Sequence, residues 1–583
     1  DFVQEEGAGG ISMKNIIRIK NNYLISKALV LVILLLTLLS SCNSGKIDVS
    51  YNEKSINEKT NEASDSATVE TDSHKNVTSI INPIVEEKIT LKMLCQANQD
   101  LNNDMPVLQE LERLTNVHLE FEILPAVSAE RWERFAAAMA AREPFDLVTY
   151  QYRNDINKYG MEGVFVPLNN LIKEHAPNLY EKLKDPLGNE PVPYKTNVLQ
   201  DITAPDGNIY NVPLISTANA IGAVWAIRKD WLDKLGFQSP GTIDELYEVL
   251  KAFKKNDPNG NGLSDEIPLG ITGEGTLVYS LLPLINGFGA HITLYLDKTD
   301  DTIKYGPVES VWKEGMLFLT KLYKEELIDP DWTTSSKDGW IAQVSTNQLG
   351  MMYTWPISGI GAANIELMKI DKNYHFIAIP PFKAPNGDRF KDTSTAGNIV
   401  VPRTAITATN KYPVETIKYL DFLFTDAGNR VLRYGIAGIH YDMVNGKPVV
   451  KKSLLTDTTG QAAKDGIDIA PLPYISLWEK GDQFKAVDPN FNPEEDAHYI
   501  YRQPGMVEAP LPALQFLDSE LYKGPNAFKA INSYAYSKWT PFITGEESLE
   551  KHDDYVKQIK TLGIDEVLKI YNSAYKRYKQ LGK

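Results

Sequence analysis

From Lys88 to Tyr150 the order of apolar and polar residues switches between a period of two and a period near 3.6. Ile89, Leu91, Met93 and Cys95 alternate with Thr90, Lys92 and Leu94, which predicts a short strand. Asp104 stands as a candidate N-cap ahead of Pro106, and Val107, Leu108, Leu111 and Leu114 follow at helical spacing. Val117, Leu119, Phe121 and Ile123 alternate with His118, Glu120 and Glu122 in a second strand. Ser128 is a candidate cap for a helix with Trp132, Phe135, Ala136 and Met139 on one face, and Phe145 to Tyr150 forms a third apolar run. Strand, helix, strand, helix, strand at these lengths predicts a mostly parallel sheet with crossover helices. Ligands of such sheets settle at the carboxyl ends of the strands, which makes Tyr150 and Gln151 candidate rim residues.

A second region of the same kind opens near Ala220. Trp225 to Asp230 reads as a strand, Trp231 to Leu235 as a helix ending at Gly236, and Thr242 to Phe253 as a helix with Ile243, Leu246, Val249 and Leu250 inward. Ser310 to Leu327 is amphipathic, Ile399 to Pro402 and Val414 to Phe424 return to strand and helix, and Asp553 to Lys579 reads as two helices broken at Gly563. The expected fold class is α/β with two lobes.

Ahead of Lys88 the pattern is different. Lys14, Arg18, Lys20 and Lys27 precede an apolar run, Ala28 to Leu39, whose one polar residue is Thr37. That length suits a signal-peptide core and falls short of the ~20 apolar residues of a spanning helix. The run ends in Leu39-Ser40-Ser41-Cys42, which resembles a bacterial lipobox, where the cysteine takes the lipid and becomes the mature N-terminus. Residues 1–12, ahead of Met13, have no place in a signal peptide and read as a spurious extension. From Asn43 to about Glu87 the chain is rich in Ser, Thr, Asn, Glu, Asp and Lys, with Tyr51 its one aromatic residue. Such a stretch cannot offset its ordering entropy by burial and reads as a tether. The expected division is 1–41 extension and signal, 42–87 lipidated Cys42 and tether, and 88–583 a two-lobed body.

Composition narrows the chemistry. The 583 residues carry 60 basic and 76 acidic side chains, a formal charge of −16, which argues against nucleic acid as a partner. Two cysteines, one of them spoken for by the lipid, make neither a disulfide framework nor a four-thiolate zinc site.

The sharpest local motif is Asp257-Pro258-Asn259-Gly260-Asn261-Gly262-Leu263-Ser264-Asp265-Glu266. Side-chain oxygens stand at positions 1, 3, 5 and 9, a glycine at 6, and the Leu263 carbonyl at 7, the ligand ladder of an EF-hand calcium loop. Position 12 is Pro268, so Glu266 at position 10 would take the place of the usual bidentate glutamate. Asp257, Asn259, Asn261, Leu263, Asp265 and Glu266 are therefore candidate Ca²⁺ ligands, in a structural role.

Catalytic templates are missing: there is no Gly-x-Ser-x-Gly elbow, no phosphate loop with lysine and no His-Glu-x-x-His. Aromatic residues are abundant, and several sit in polar or glycine-rich settings. Trp225, Trp340, Tyr353, Trp355, Tyr474 and Trp478 join Tyr150 and Gln151 as candidate ligand contacts, since flat apolar faces with polar edges suit sugar rings.

The lipobox, tether and α/β body together look like an extracellular solute-binding lipoprotein of a bacterial ABC importer. Pro205-Asp206-Gly207-Asn208-Ile209-Tyr210-Asn211-Val212-Pro213 and Ile227-Arg228-Lys229-Asp230-Trp231-Leu232-Asp233-Lys234-Leu235-Gly236 resemble the family 1 solute-binding proteins, especially their LplA-like and alginate-binding branch. Asp257 to Glu266 is similar to that branch's calcium loop, in which an Asp-Glu pair closes the ladder. The resemblance implies a type II periplasmic-binding-protein-like fold, with a hinge and a cleft that closes over an oligosaccharide, and a permease as partner. Lobe 1 is then expected at about 88–218 plus 373–430, and lobe 2 at about 219–372 plus 431–583, in a monomer held on the outer face of the cell membrane by its lipid. A lipid-anchored polysaccharide hydrolase or lyase, and an outer-membrane glycan-binding lipoprotein, are the alternative readings.

Overall fold

In the computed structural model the described residues are 83–97, 101–149, 153–186, 194, 197–216, 221–272, 280–389, 391, 400–455, 461–467, 472–473, 475–476, 495–512 and 514–581. Cys42, the apolar run before it and the tether through Asn82 lie outside them, as do Tyr150, Gln151, Tyr474 and Trp478. In chain order the strands are β1 (Ile89–Cys95), β2 (Val117–Ile123), β3 (Leu147–Thr149), β4 (Val212–Ser216), β5 (Val224–Arg228), β6 (Leu294–Asp297), β7 (Thr302–Tyr305), β8 (Met351–Thr354), β9 (Phe376–Ile379), β10 (Val400–Ile406), β11 (Tyr441–Val444), β12 (Lys447–Val450) and β13 (Ile475–Ser476).

The period-two pattern of β1 sends Leu91, Met93 and Cys95 into one hydrophobic cluster and Leu94 into another, so helices cover the sheet on both faces. Helix α1 (Pro106–Thr115) lays Val107, Leu108, Leu111 and Leu114 on the first face, and α2 (Ser128–Ala141) lays Phe135, Ala138 and Met139 on the second. The cap of α1 is Met105 rather than Asp104, with no side-chain hydrogen bond; Pro106 at the first helical position has no N–H to satisfy. Trp132, expected beside Phe135, is half exposed because the packed stripe of α2 begins only at Phe135.

The first sheet has the order β13-β4-β10-β3-β1-β2. Pairing is parallel throughout except for β10, which runs against both β3 and β4. The second sheet, β8-β5-β9, is antiparallel about β5. Trp225, Ile227, Met351, Tyr353, Ile377 and Ile379 face the largest core, while Val224, Ala226, Met352, Phe376 and Ala378 face a separate cluster with Trp340 and Tyr501. Helices α5 (Ile243–Lys255) and α6 (Ser310–Lys324) pack on the larger core with three from the chain's end, α7 (Ala527–Thr544), α8 (His552–Thr561) and α9 (Ile564–Tyr578). Thr242 and Glu245 close a reciprocal capping box at the start of α5. Gly563, at φ 101°, supplies the left-handed turn between α8 and α9 where the break was expected.

Two lobes follow, with boundaries that differ from those expected. β9 pairs with β5, so the second lobe continues past residue 373. Val431, Leu432 and Leu472 belong to the first core and β13 pairs with β4, so the first lobe continues past residue 430. Phe376–Ile379 is apolar on both faces and β13 has two residues, so neither carries the alternation that marks a strand in sequence.

Candidate functional site

The parallel order places the carboxyl ends of β1, β2, β3, β4 and β13, namely Cys95, Ile123, Thr149, Ser216 and Ser476, along one edge of the first sheet, where β10 begins. The chain passes to or from the second sheet at that same edge: after Ser216 toward Val224, before Val400 from Lys391, and after Ser476 toward Asp496. In the second sheet Val224 stands opposite Thr354, and Trp225 opposite Ile379, so β5 enters at the edge where β8 and β9 finish. The two edges that receive the passages therefore belong to a single junction between the lobes.

Tyr150, Gln151, Tyr474 and Trp478, proposed from sequence as ligand contacts, lie outside the described residues. The strand before Tyr150, β3, and the strand before Trp478, β13, end on this edge. In the second lobe Trp355 directly follows β8 and remains 37% exposed. The turn after it, Pro356–Gly361, winds over the Trp355 carbonyl, which accepts from Gly359 N at 3.0 Å and Ile360 N at 3.1 Å. Gly359 lies so close to Thr354 that a Cβ there would collide with the threonine side chain. Trp225, Tyr353 and Trp340 are placed otherwise: they are 2%, 1% and 3% exposed and pack into the two cores beside the second sheet. Side chains packed into a core have no surface left for a ligand, and which face of the sheet each would meet is not readable from its sequence neighbours.

Side chains that sequence reasoning missed brace the junction. The buried Lys391 ammonium donates to Ile221 O, while its backbone N–H donates to Met506 O at 3.0 Å and its carbonyl accepts from Glu508 N at 3.0 Å. Tyr501 OH accepts from Trp225 N at 3.3 Å and donates to Ile379 O at 2.9 Å, tying the segment after the third passage to β5 and β9. Burial pushes its phenol well above the usual range, so it stays protonated as a donor. Among the described residues, side-chain hydrogen bonds join the lobes at Asn157 and at α4. Asn157 Nδ2 on α3 (Arg153–Met161) donates to Gln515 Oε1 at 3.2 Å. On α4 (Val198–Ile202), Gln200 donates to Tyr578 O at 2.6 Å and Asp201 accepts from Tyr578 OH at 2.9 Å.

The candidate calcium loop lies in the second lobe between α5 and the strand-like bridge at Ile267. Asp257, Gly260 and Gly262 take positive φ values of 45°, 75° and 77°, which coil the loop tightly. Asp257 accepts from the backbone N–H groups of Gly260, Asn261 and Gly262 at 2.9–3.1 Å. Asp265 accepts from the amides of Asn259, Asn261 and Gln348 at 2.8–3.1 Å, and these donors outweigh its desolvation and lower its pKa. Glu266 is different: it is 3% exposed, and neither carboxylate oxygen has a hydrogen-bond partner. Desolvation raises its pKa, and the charges of Asp257 and Asp265 add to that. The backbone N–H groups of Glu266 itself and of Asn259 offset part of the rise without reaching hydrogen-bond alignment. Among the described residues no group of three or more His, Cys, Asp and Glu side chains converges as a metal centre. Two of the loop's three carboxylates accept from N–H groups of the loop and of Gln348, and the orphaned Glu266 carboxylate beside them is the feature that fits a divalent cation.

The sequence profile of the bacterial extracellular solute-binding proteins matches residues 103–430. Among characterised proteins, the chain is 24% identical over 522 residues to the fructooligosaccharide ABC transporter substrate-binding protein FusA of Streptococcus pneumoniae serotype 4, covering 85% of this chain and 91% of that one. It is 25% identical over 478 residues to the polygalacturonan/rhamnogalacturonan-binding protein YtcQ of Bacillus subtilis, covering 81% and 88%. A crystal structure of the alginate-binding protein AlgQ2 without calcium ion superposes with a TM-score of 0.65 at 28% identity, over 85% of this chain and 99% of AlgQ2.

Proposed function

This chain belongs to the bacterial extracellular solute-binding proteins, and from that membership we propose that it is the lipid-anchored binding component of an ABC importer. It captures an oligosaccharide between its lobes as a monomer and presents it to the permease. FusA, YtcQ and AlgQ2 are named for different glycans, and what they share is an oligosaccharide or polysaccharide ligand. The observation that carries the reading is Trp355. A half-exposed indole ends β8 on the edge of the second sheet where the chain passes between lobes. An indole face there stacks on the apolar face of a sugar ring, and Tyr150, Gln151, Tyr474 and Trp478 remain the further candidate contacts from sequence. Ligand held on both sides favours the closed arrangement, and release follows when the lobes part. The protein's task is binding, and no bond in the ligand is broken.

Calcium belongs to the same reading. Asp257, Asn259, Asn261, Asp265, Glu266 and the Leu263 carbonyl would hold it, and its charge would offset most of that of the three carboxylates.

Titration calorimetry of the lipid-free chain with kestose, oligogalacturonates and alginate oligosaccharides tests the proposal, alongside chromatography of the recovered sugar. Binding of at least one, with the sugar returned intact, is expected. Trp355→Ala should cost roughly 2–4 kcal/mol of binding, a weakening of about 30- to 1,000-fold. A shortened sugar, or binding of peptides and of no glycan, overturns it.

A further inference from the structure

Asn157 and Gln515 meet across the lobes in a pairing that is half made. Asn157 is 1% exposed and Gln515 8% exposed. The Asn157 amide donates to Gln515 Oε1 at 3.2 Å, but the reverse bond is absent: Asn157 Oδ1 and Gln515 Nε2 are both buried and without a partner. A side-chain amide offers one acceptor and two donors, and leaving such groups dry and unpaired is costly. Native structures keep few of them, and each calls for an explanation.

Position supplies one. β3 ends at Thr149 on the ligand-facing edge of the first sheet, and α3 begins four residues later at Arg153, so Asn157 sits one turn into the first helix beyond that edge. Ile156 and Tyr159 beside it pack into the first lobe's core with Phe135 and Phe165. Gln515 belongs to the other lobe. Leu514 is part of the larger core, Phe516 packs its ring on Tyr571 of α9 at 4.9 Å, and Arg577 Nη2 donates to the Gln515 carbonyl at 3.1 Å. Both side chains are thus rigidly carried by opposite lobes, and the unpaired acceptor comes from one lobe and the unpaired donor from the other.

A hydroxyl both donates and accepts, so one hydroxyl satisfies the two groups together. We propose that Asn157 and Gln515 form an interlobe clasp completed by a hydroxyl of the bound oligosaccharide, making them positioning residues that couple ligand capture to lobe closure. This rests on the oligosaccharide reading above. The clasp favours a glycan with a free hydroxyl at that point over one that is methylated or acetylated there. It also gives closure a polar trigger separate from aromatic stacking at Trp355.

The test uses the double variant Asn157→Leu with Gln515→Met, which removes both polar groups while keeping side chains of similar length, and the single variant Asn157→Ala. Melting curves and calorimetric titrations are run on wild type and variants with kestose, oligogalacturonates and alginate oligosaccharides. The ligand-free double variant should melt at or above the wild-type temperature, because two buried groups without a protein partner are gone. Its affinity for whichever probe wild type binds should fall about threefold to tenfold for each hydrogen bond lost. Should Asn157→Ala fail to fold, the double variant alone decides. Undiminished affinity in the double variant overturns the clasp while leaving the oligosaccharide reading intact. Wild type that binds none of the glycans overturns that reading and the clasp with it.

Discussion

Trp225 and Tyr353 stand directly opposite each other on β5 and β8, their ring centroids 4.7 Å apart and tilted by 56°. Phe382 also packs on Trp225, its ring centroid 5.9 Å away. Aromatic pairs at this spacing gain beyond the area they bury, and they do so here with 2% and 1% of their surfaces exposed. The pair is a packing element of the sheet that carries Trp355.

Tyr353→Ala should therefore lower unfolding stability by about 3–5 kcal/mol, as large aromatic truncations in cores do. Urea denaturation measures it, and calorimetry at a temperature where the variant is folded should find the glycan affinity nearly that of wild type. A large loss of affinity at unchanged stability would contradict the placement.

His552 predicts a pH dependence. It is 4% exposed, with its ring stacked near Trp312 at 5.7 Å, and desolvation followed by the charge of Lys313 lowers its pKa below the ordinary imidazole value of 6.5. The unfolded chain thus takes up the proton first as pH falls. The stability held by neutral His552 is complete above the unfolded pKa and is lost as pH drops from about 6.5 through the folded pKa. Melting temperature followed from pH 7.5 to pH 5 should fall, and His552→Phe should flatten that part of the profile.

Calcium should raise the melting temperature. Extracellular modules of this kind bind with dissociation constants of ~0.1–1 mM, and at 100 times that constant mass action adds about 2.7 kcal/mol. Glu266→Gln gives the sharper result. In EDTA it should melt higher than wild type, because a buried carboxylate without hydrogen bonds is replaced by a neutral amide. It should also respond weakly or not at all to added calcium. Equal responses from both proteins would remove Glu266 from the site.

Cys42 should carry the lipid. In cells grown with labelled palmitate, the wild type is expected to incorporate label and to sediment with membranes. Cys42→Ala should do neither, and equal labelling of the two would sink the assignment.

Much of this protein was written in local pattern. The alternation of β1 and β2 and the helical stripe of α1 named the first βαβ unit, because each element buries one face or two and its period follows from backbone geometry alone. The loop from Asp257 to Glu266 was legible for a similar reason, since its oxygens and glycines act on one another within ten residues. What sequence left undetermined depends on residues far apart in the chain. Trp225 and Tyr353 read as candidate cleft aromatics until the register set them face to face across 128 positions beneath the helices of the second core. β9 and β13 belong to lobes other than those expected because a strand's partner is chosen by hydrogen bonding across the sheet, to which runs of four residues and of two give no local clue. Asn157 lies in a polar helix and Gln515 in a proline-bounded loop, each unremarkable alone. Only the docking of one lobe on the other buries both amides and leaves a donor and an acceptor unpaired between them.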